Sequence, residues 1–374
     1  MKKRILLLTA LLLLLLPMAG RAASLEEGLG QTLDQFDMGQ LEAASGQRGL
    51  RELALRLARG EMVWDAGETW RAMWEALLGE AQRSFSRMMG LIAPALFGAA
   101  AGILKPRGKG VAEMAENACF LALAAVLAAD MKVYLAEAER TVMRMASLMQ
   151  ALFPMLLTLL AAVGATSGAA LFKPAISAAS GTMTALVRGV CLRLSLAVAV
   201  ITLLDYLSPR MRLSRLAGLL RTAATWTLGI AFTVFIGVTA LQGMTAAAAD
   251  GVSIRAAKYA VDNFVPVVGG MFADTMDSLV GCALLIKNAL GVTGLALLLS
   301  AAGLPMLRTL IAAAMYRLCA ALLQPVAQER ASGMIHAFSD VMMLLFIIEL
   351  SVGAMFLLLT AQILAVGNAT VGLR

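Results

Sequence analysis

The residues best placed to do chemistry in this 374-residue chain are ionisable groups set in apolar surroundings. Lys287 and Asn288 sit near the centre of the apolar window 279–302, and Glu349 lies within the window 339–366. An ionised group at mid-bilayer costs roughly 2.5–3.5 kcal/mol on insertion scales, so it must face protein or water and find a partner. A contact between Lys287 and Glu349 is one pairing these windows allow. Two readings compete for them, a buried structural ion pair and the polar wall of a transport pathway. Arg188, Arg193 and Asp205 lie nearer segment ends, where charge reaches the interface.

A second polar group interrupts the pattern at KYAVDNFVPVVGGMFADTMDSLVGC, residues 258–282. Lys258 and Asp262 are spaced i,i+4 for a helical ion pair, and Asp274 and Asp277 extend the polar surface. Pro266 removes a helix hydrogen bond, while Gly269 and Gly270 permit a bend. Broken backbone at membrane depth survives only where protein or water satisfies it. The stretch reads either as an external amphipathic helix leading into 279–302, or as a kinked segment lining a pore or a subunit contact.

Other chemistries lack their residues. In GILKPRGKG, Gly102 and Gly108 are one residue too far apart for a phosphate-binding loop, and Gly110 stands where Ser or Thr would bind magnesium. GATSG at 164–168 is not a nucleophile elbow. His336 is the only histidine, which argues against a His-based metal site or a Ser-His-Asp triad. Cys119, Cys191, Cys282 and Cys319 each stand alone and read as small buried hydrophobes. No catalytic residue, cofactor or metal is expected, and the chain does not read as an enzyme.

The elements that position these groups follow from composition. Hydrophobic residues make up 60% of the chain and charged residues 15%, far from a globular mixture, so the chain reads as an all-α, polytopic helical membrane protein. Its 24 Met, 33 Gly and many Ala suit close helix packing in lipid. Gly98 with Gly102, and Gly164 with Gly168, have the GxxxG spacing of helix contacts. The formal charge of +7 resides mostly at segment ends, as in solvated cytoplasmic loops, and not in a nucleic-acid patch.

Residues 1–22 read as a cleavable signal peptide, with Lys2, Lys3 and Arg4 before an apolar run from Ile5 to Leu16 and a small-residue site ending at Ala22. Residues 23–87 carry amphipathic helical stripes and are expected outside the cytoplasm, as a belt on the membrane or a small helical subdomain. Trp64, Trp70 and Trp74 fit an interface. The multispan domain is then 88–374, with about seven crossings at 88–104, 146–172, 186–206, 222–245, 279–302, 304–324 and 339–366. The run 118–129 is short for a crossing. This count puts the basic loops KPRGKG and SPRMRLSRLAGLLR on the cytoplasmic side, along with the carboxyl terminus. A faint repeat relates RLAGLL at 215–220 to RASGMI at 330–335, which seven crossings would put on opposite sides as an inverted repeat requires. Chance similarity in an Ala-, Leu- and Gly-rich chain is the competing explanation.

The block KYAVDNFVPVVGGMFADTMDSLVGCALLIKNALGVTG, followed by LRTLIAAAMYRLCAALLQP and closing on Gln324 and Pro325, resembles the most characteristic region of the stage III sporulation protein AE family. The signal-like amino terminus, the soluble segment and the later spans resemble that family's layout. The resemblance implies a noncatalytic core component of a secretion-like channel complex between mother cell and forespore, needed for endospore formation. It implies residence in the mother-cell-derived outer forespore membrane. The implied partners are the other stage III sporulation A proteins, including the cytosolic ATPase and ring-forming members, and the forespore stage II protein Q. A secondary transporter or permease for a small solute or ion is the alternative that Lys287, Glu349 and the repeat keep open.

Overall fold

Every described element is a helix, because long apolar runs without a polar turn leave the backbone no other way to satisfy its own hydrogen bonds in lipid. The computed structural model describes residues 66–103, 109–207, 213–264 and 269–372; between 257 and 279 it describes backbone only. The helices are α1 (Ala66–Ile103), α2 (Lys109–Ala162), α3 (Thr166–Leu207), α4 (Ser214–Phe264), α5 (Gly269–Leu323) and α6 (Glu329–Gly372). Within α3, π-helical turns at Ala178–Met183 and Val187–Cys191 interrupt the α-helical ladder. Residues 1–65, and with them the expected signal peptide and most of the expected extracytoplasmic segment, lie outside the described residues. α1 runs unbroken through residue 88.

Six helical stretches among the described residues are long and apolar enough to cross a membrane, against the seven expected. The windows 279–302 and 304–324 lie on one helix, α5, with Pro305 inside it. The physical reason is local. A proline forfeits one helix hydrogen bond, whereas ending the helix in apolar surroundings would strand up to four N–H and four C=O groups. The run 118–129 also belongs to a longer helix, α2, which carries Phe120, Leu123, Leu127, Met131 and Tyr134 to the core on one face. At 54 and 55 residues, α2 and α5 are about 80 Å long, well beyond the roughly 30 Å of hydrocarbon.

The window 146–172 is divided where α2 ends. Gly164 adopts φ 91°, the Gly164 N–H donates to Ala161 O at 2.9 Å and the Ala165 N–H to Leu160 O at 3.1 Å. This is a Schellman ending, whose left-handed residue favours glycine. Gly164 and Gly168 therefore do not share a helix face. That expectation is corrected: the first stops α2, and the second opens α3.

α5 and α6 form an antiparallel hairpin joined by residues 324–328, and this pair is the centre of the bundle. Leu364 packs onto Gly291 and Met306 onto Gly353, where an added Cβ would come within 2.1 and 2.4 Å of those side chains. The Ser339 hydroxyl bonds across the pair to Ala313 O at 2.8 Å. Phe153, Leu156 and Leu160 of α2, Phe235 of α4 and Phe338, Leu345 and Phe356 of α6 fill one continuous core.

Three junctions gather at one end. Gln328, in the turn before α6, donates to Glu116 near the start of α2. Arg330 donates to the Tyr206 and Leu207 carbonyls at 2.6 and 2.7 Å, closing the end of α3, and its guanidinium lies 4.3 Å from the Phe120 ring. The α1–α2, α3–α4 and α5–α6 connections thus share one side. This overturns the inverted arrangement of the repeat: residues 215–218 and 330–333 lie at the same end, because α5 crosses from the far end once.

Candidate functional site: a charged layer inside the bundle

Where α1, α2, α5 and α6 meet, the apolar core gives way to ionisable groups. Arg308 of α5 reaches Glu137 of α2 at 2.8 Å and Glu80 of α1 at 3.1 Å. Arg83, on the exposed side of α1, touches Glu80 at 3.5 Å. An adjoining layer pairs the Tyr316 hydroxyl with Asp130 at 2.5 Å and places Arg87 against Tyr134, with its Nη1 2.6 Å from the phenol oxygen. Every pairing except Arg83–Glu80 joins two helices, so the layer fixes their register as well as balancing charge. An arginine fits this role because its planar fork can engage two carboxylates at once.

Glu349 lies next to this layer without joining it. Its side chain is fully buried in α6, and neither carboxylate oxygen has a hydrogen-bond partner among the described residues. Thr309 stands beside it, with its hydroxyl also 3.2 Å from Pro305 O. The second predicted interior charge has gone elsewhere. Lys287, also fully buried, donates to Leu364 O at 2.9 Å and to Asn368 Oδ1 at 3.2 Å. Leu364 and Asn368 lie fifteen and nineteen residues beyond Glu349 in the same helix, or about 22 and 28 Å along its axis. The Lys287–Glu349 pair is therefore not formed, because the antiparallel register of α5 and α6 sets the two charges at different levels. Asn288 is adjacent to Lys287, with its side-chain oxygen buried and without a hydrogen-bond partner among the described residues.

The remaining predicted positions are dispersed. Lys258 and Asp262 fall on the last turns of α4, and Gly269, Gly270, Asp274 and Asp277 on the first turns of α5; their side chains lie outside the described residues, as does Pro266 altogether. Gln324 lines a cavity of about 650 Å³ with Arg317, Glu329 and His336 at the end where the junctions gather, and Pro325 is exposed in the following turn. Gly98 faces Cys119 of α2, 3.4 Å from where its own Cβ would stand, and Gly102 lies in the last turn of α1. Cys191 and Cys319 are buried free thiols. Among the described residues no three His, Cys, Asp or Glu side chains are grouped to hold a metal ion.

Several organising residues escaped the sequence reading. Asp250 of α4, fully buried, accepts the Ser167 and Gly168 N–H groups at 2.8 Å each and so caps the start of α3. Asp340 of α6 holds Arg317 of α5 at 2.9 Å and Arg221 of α4 at 3.2 Å. Asp205, read from the sequence as a segment-end charge reaching the interface, instead accepts the Leu213 and Ser214 N–H groups, at 2.5 and 3.1 Å, and caps the start of α4. Arg308 was legible as a charge inside the window 304–324, and Glu137 as part of the charged stretch between two apolar runs. Neither position says which partner it meets.

The profile of the family described as Stage III sporulation protein AE matches residues 49–367. The Bacillus subtilis (strain 168) protein named Stage III sporulation protein AE is 31% identical over 264 residues, covering 71% of this chain and 66% of that relative. The match thus spans about two thirds of the relative's own length. No solved structure matches the chain.

Proposed function

The chain belongs to the stage III sporulation protein AE family, and from that premise we propose that it is a noncatalytic, multi-pass membrane component of the channel complex joining mother cell and forespore during endospore formation. The family match carries this reading. The helical bundle supports it by its chemistry: interior charges tie helices to one another, as Arg308 does with Glu80 and Glu137. In this reading the chain resides in the outer forespore membrane. Its partners are the other stage III sporulation A proteins, including the cytosolic ATPase and the ring-forming members, together with the forespore stage II protein Q.

A tagged chain extracted in mild detergent from sporulating cells tests the proposal. The expected result is co-purification of those partners, and loss of spores when the chain is absent. A chain that inserts normally and is needed for sporulation, yet brings down none of them, overturns membership of the complex. One observation favours a second reading as a transporter: Glu349 is buried in the bundle and unpaired. Movement of a solute by the purified chain alone in liposomes would select it.

A further inference from the structure

The charge count around Glu349 does not close. The groups facing it are Thr309 from α5, whose hydroxyl lies beside the carboxylate and 3.2 Å from Pro305 O, and Glu137 from α2, which adds negative charge. Behind Glu137 stand Arg308 of α5 and Glu80 of α1. α4 carries no ionisable residue between Arg221 and Asp250, and α3 none between Arg193 and Asp205. α6 has no other between Asp340 and the terminal Arg374. Glu80 and Glu137 therefore share Arg308, with Arg83 touching Glu80 from the rim. Three carboxylates meet two guanidinium groups, and the hydrogen-bond geometry leaves the unanswered charge on Glu349. A buried carboxylate without a countercharge is retained only when something neutralises it.

We propose that Glu349 is a cation-loading site within the bundle, its carboxylate taking up one monovalent cation, a proton or a sodium ion. A single carboxylate beside a threonine hydroxyl oxygen suits one positive charge, whereas a divalent ion asks for a larger set of hard oxygen ligands. With the site loaded, Arg308 remains on Glu80 and Glu137, as observed. Release of the cation to water restores a negative charge beside Glu137. Arg308, already bound to Glu137, is the internal cation that can answer it. Loading and unloading thus shift the contacts that tie α5 to α1 and α2. Cation loading at Glu349 is a property of the isolated chain and does not depend on membership of an assembly.

The test is infrared spectroscopy of the purified full chain in lipid nanodiscs at neutral pH, with sodium chloride replaced by choline chloride at constant ionic strength. If the cation is a proton, a protonated-carboxyl band is present in both salts, shifts in deuterium oxide, is lost in Glu349→Gln and is kept in Glu137→Gln. If it is sodium, the Glu349 signal changes from carboxylate in sodium to carboxylic acid in choline, and sodium raises the unfolding temperature of the parent chain but not of Glu349→Gln. Should Glu349→Gln fail to fold, Glu349→Asp is expected to keep the response of the parent at a shifted band position. No band assignable to Glu349 in either salt, together with no sodium effect on unfolding, overturns the proposal.

Discussion

The carboxylate of Asp250 caps the helix that begins beside Gly168, accepting its N–H at 2.8 Å from a position fully buried in α4. The contact also explains the glycine, since a Cβ there would lie 3.0 Å from the same carboxylate oxygen and 3.3 Å from Val366. An anion at a helix amino terminus meets both free N–H groups and the favourable end of the helix dipole. Asp250 thereby makes the break between α2 and α3 tolerable in apolar surroundings.

Replacing Asp250 with Ala should orphan one buried and one half-buried N–H group and destabilise the chain by about 2–3 kcal/mol, the sum expected for a lost cap and an unsatisfied donor. Asp250→Asn keeps one acceptor oxygen and should lose less. Thermal unfolding of both variants in one detergent checks the order. Equal stability of Asp250→Ala and the parent would show that the cap does not hold the break.

Gly367 gives Lys287 its place, for an added Cβ would stand 2.0 Å from the ammonium nitrogen. Gly367→Ala should push Lys287 away from Leu364 O and cost about 1–3 kcal/mol, the usual range for overpacking a tight contact. Lys287→Met in the same background should recover part of the loss by removing the ammonium. Unfolding temperatures of the single and double variants measure the recovery, and strict additivity would deny the contact.

Arg308 answers two carboxylates on two other helices, so its loss leaves Glu137 uncompensated and Glu80 with only Arg83 at the rim. Arg308→Gln should destabilise by about 2–4 kcal/mol, toward the lower side of what breaking a buried pair costs because Arg308 is partly exposed. Adding Glu137→Gln should restore some of it. A double-mutant cycle reads the coupling directly, and a coupling of zero would mean the 2.8 Å contact adds nothing.

Arg317 and Arg221 approach Asp340 at the end where three junctions gather, with Arg317 largely exposed. Each ion pair should contribute only about 0.2–1 kcal/mol, as half-exposed pairs do. Arg317→Ala and Arg221→Ala are expected to unfold within a few degrees of the parent. A collapse in stability for either would place this cluster among the buried supports.

The shared end of the three junctions is open to chemical labelling. In a cysteine-free background, Gly110→Cys, Ser214→Cys and Val326→Cys should react with an impermeant thiol reagent from one side of the membrane, and Thr166→Cys from the other. Reaction of Val326→Cys from the side opposite to Ser214→Cys would restore the seven-crossing arrangement.

The sequence by itself determined that the chain is helical and membrane-spanning, because apolar runs of about twenty residues can satisfy their backbone only as helices. It also determined that Lys287 and Glu349 would be interior, since they sit in windows with no polar face to turn outward. The family resemblance was likewise readable in residues 258–325. The number of helices was less accessible: hydropathy registers a dip at Gly303-Leu304-Pro305 but cannot weigh one lost hydrogen bond against a whole unsatisfied helix end. Only the tertiary structure decided the partners. Pairing depends on the register between α5 and α6 and on which face each helix turns to its neighbours, and these are set by contacts such as Leu364 on Gly291 and Met306 on Gly353, distant in the chain. That register carries Lys287 to Leu364 O, gives Arg308 to Glu80 and Glu137, and leaves Glu349 unpaired.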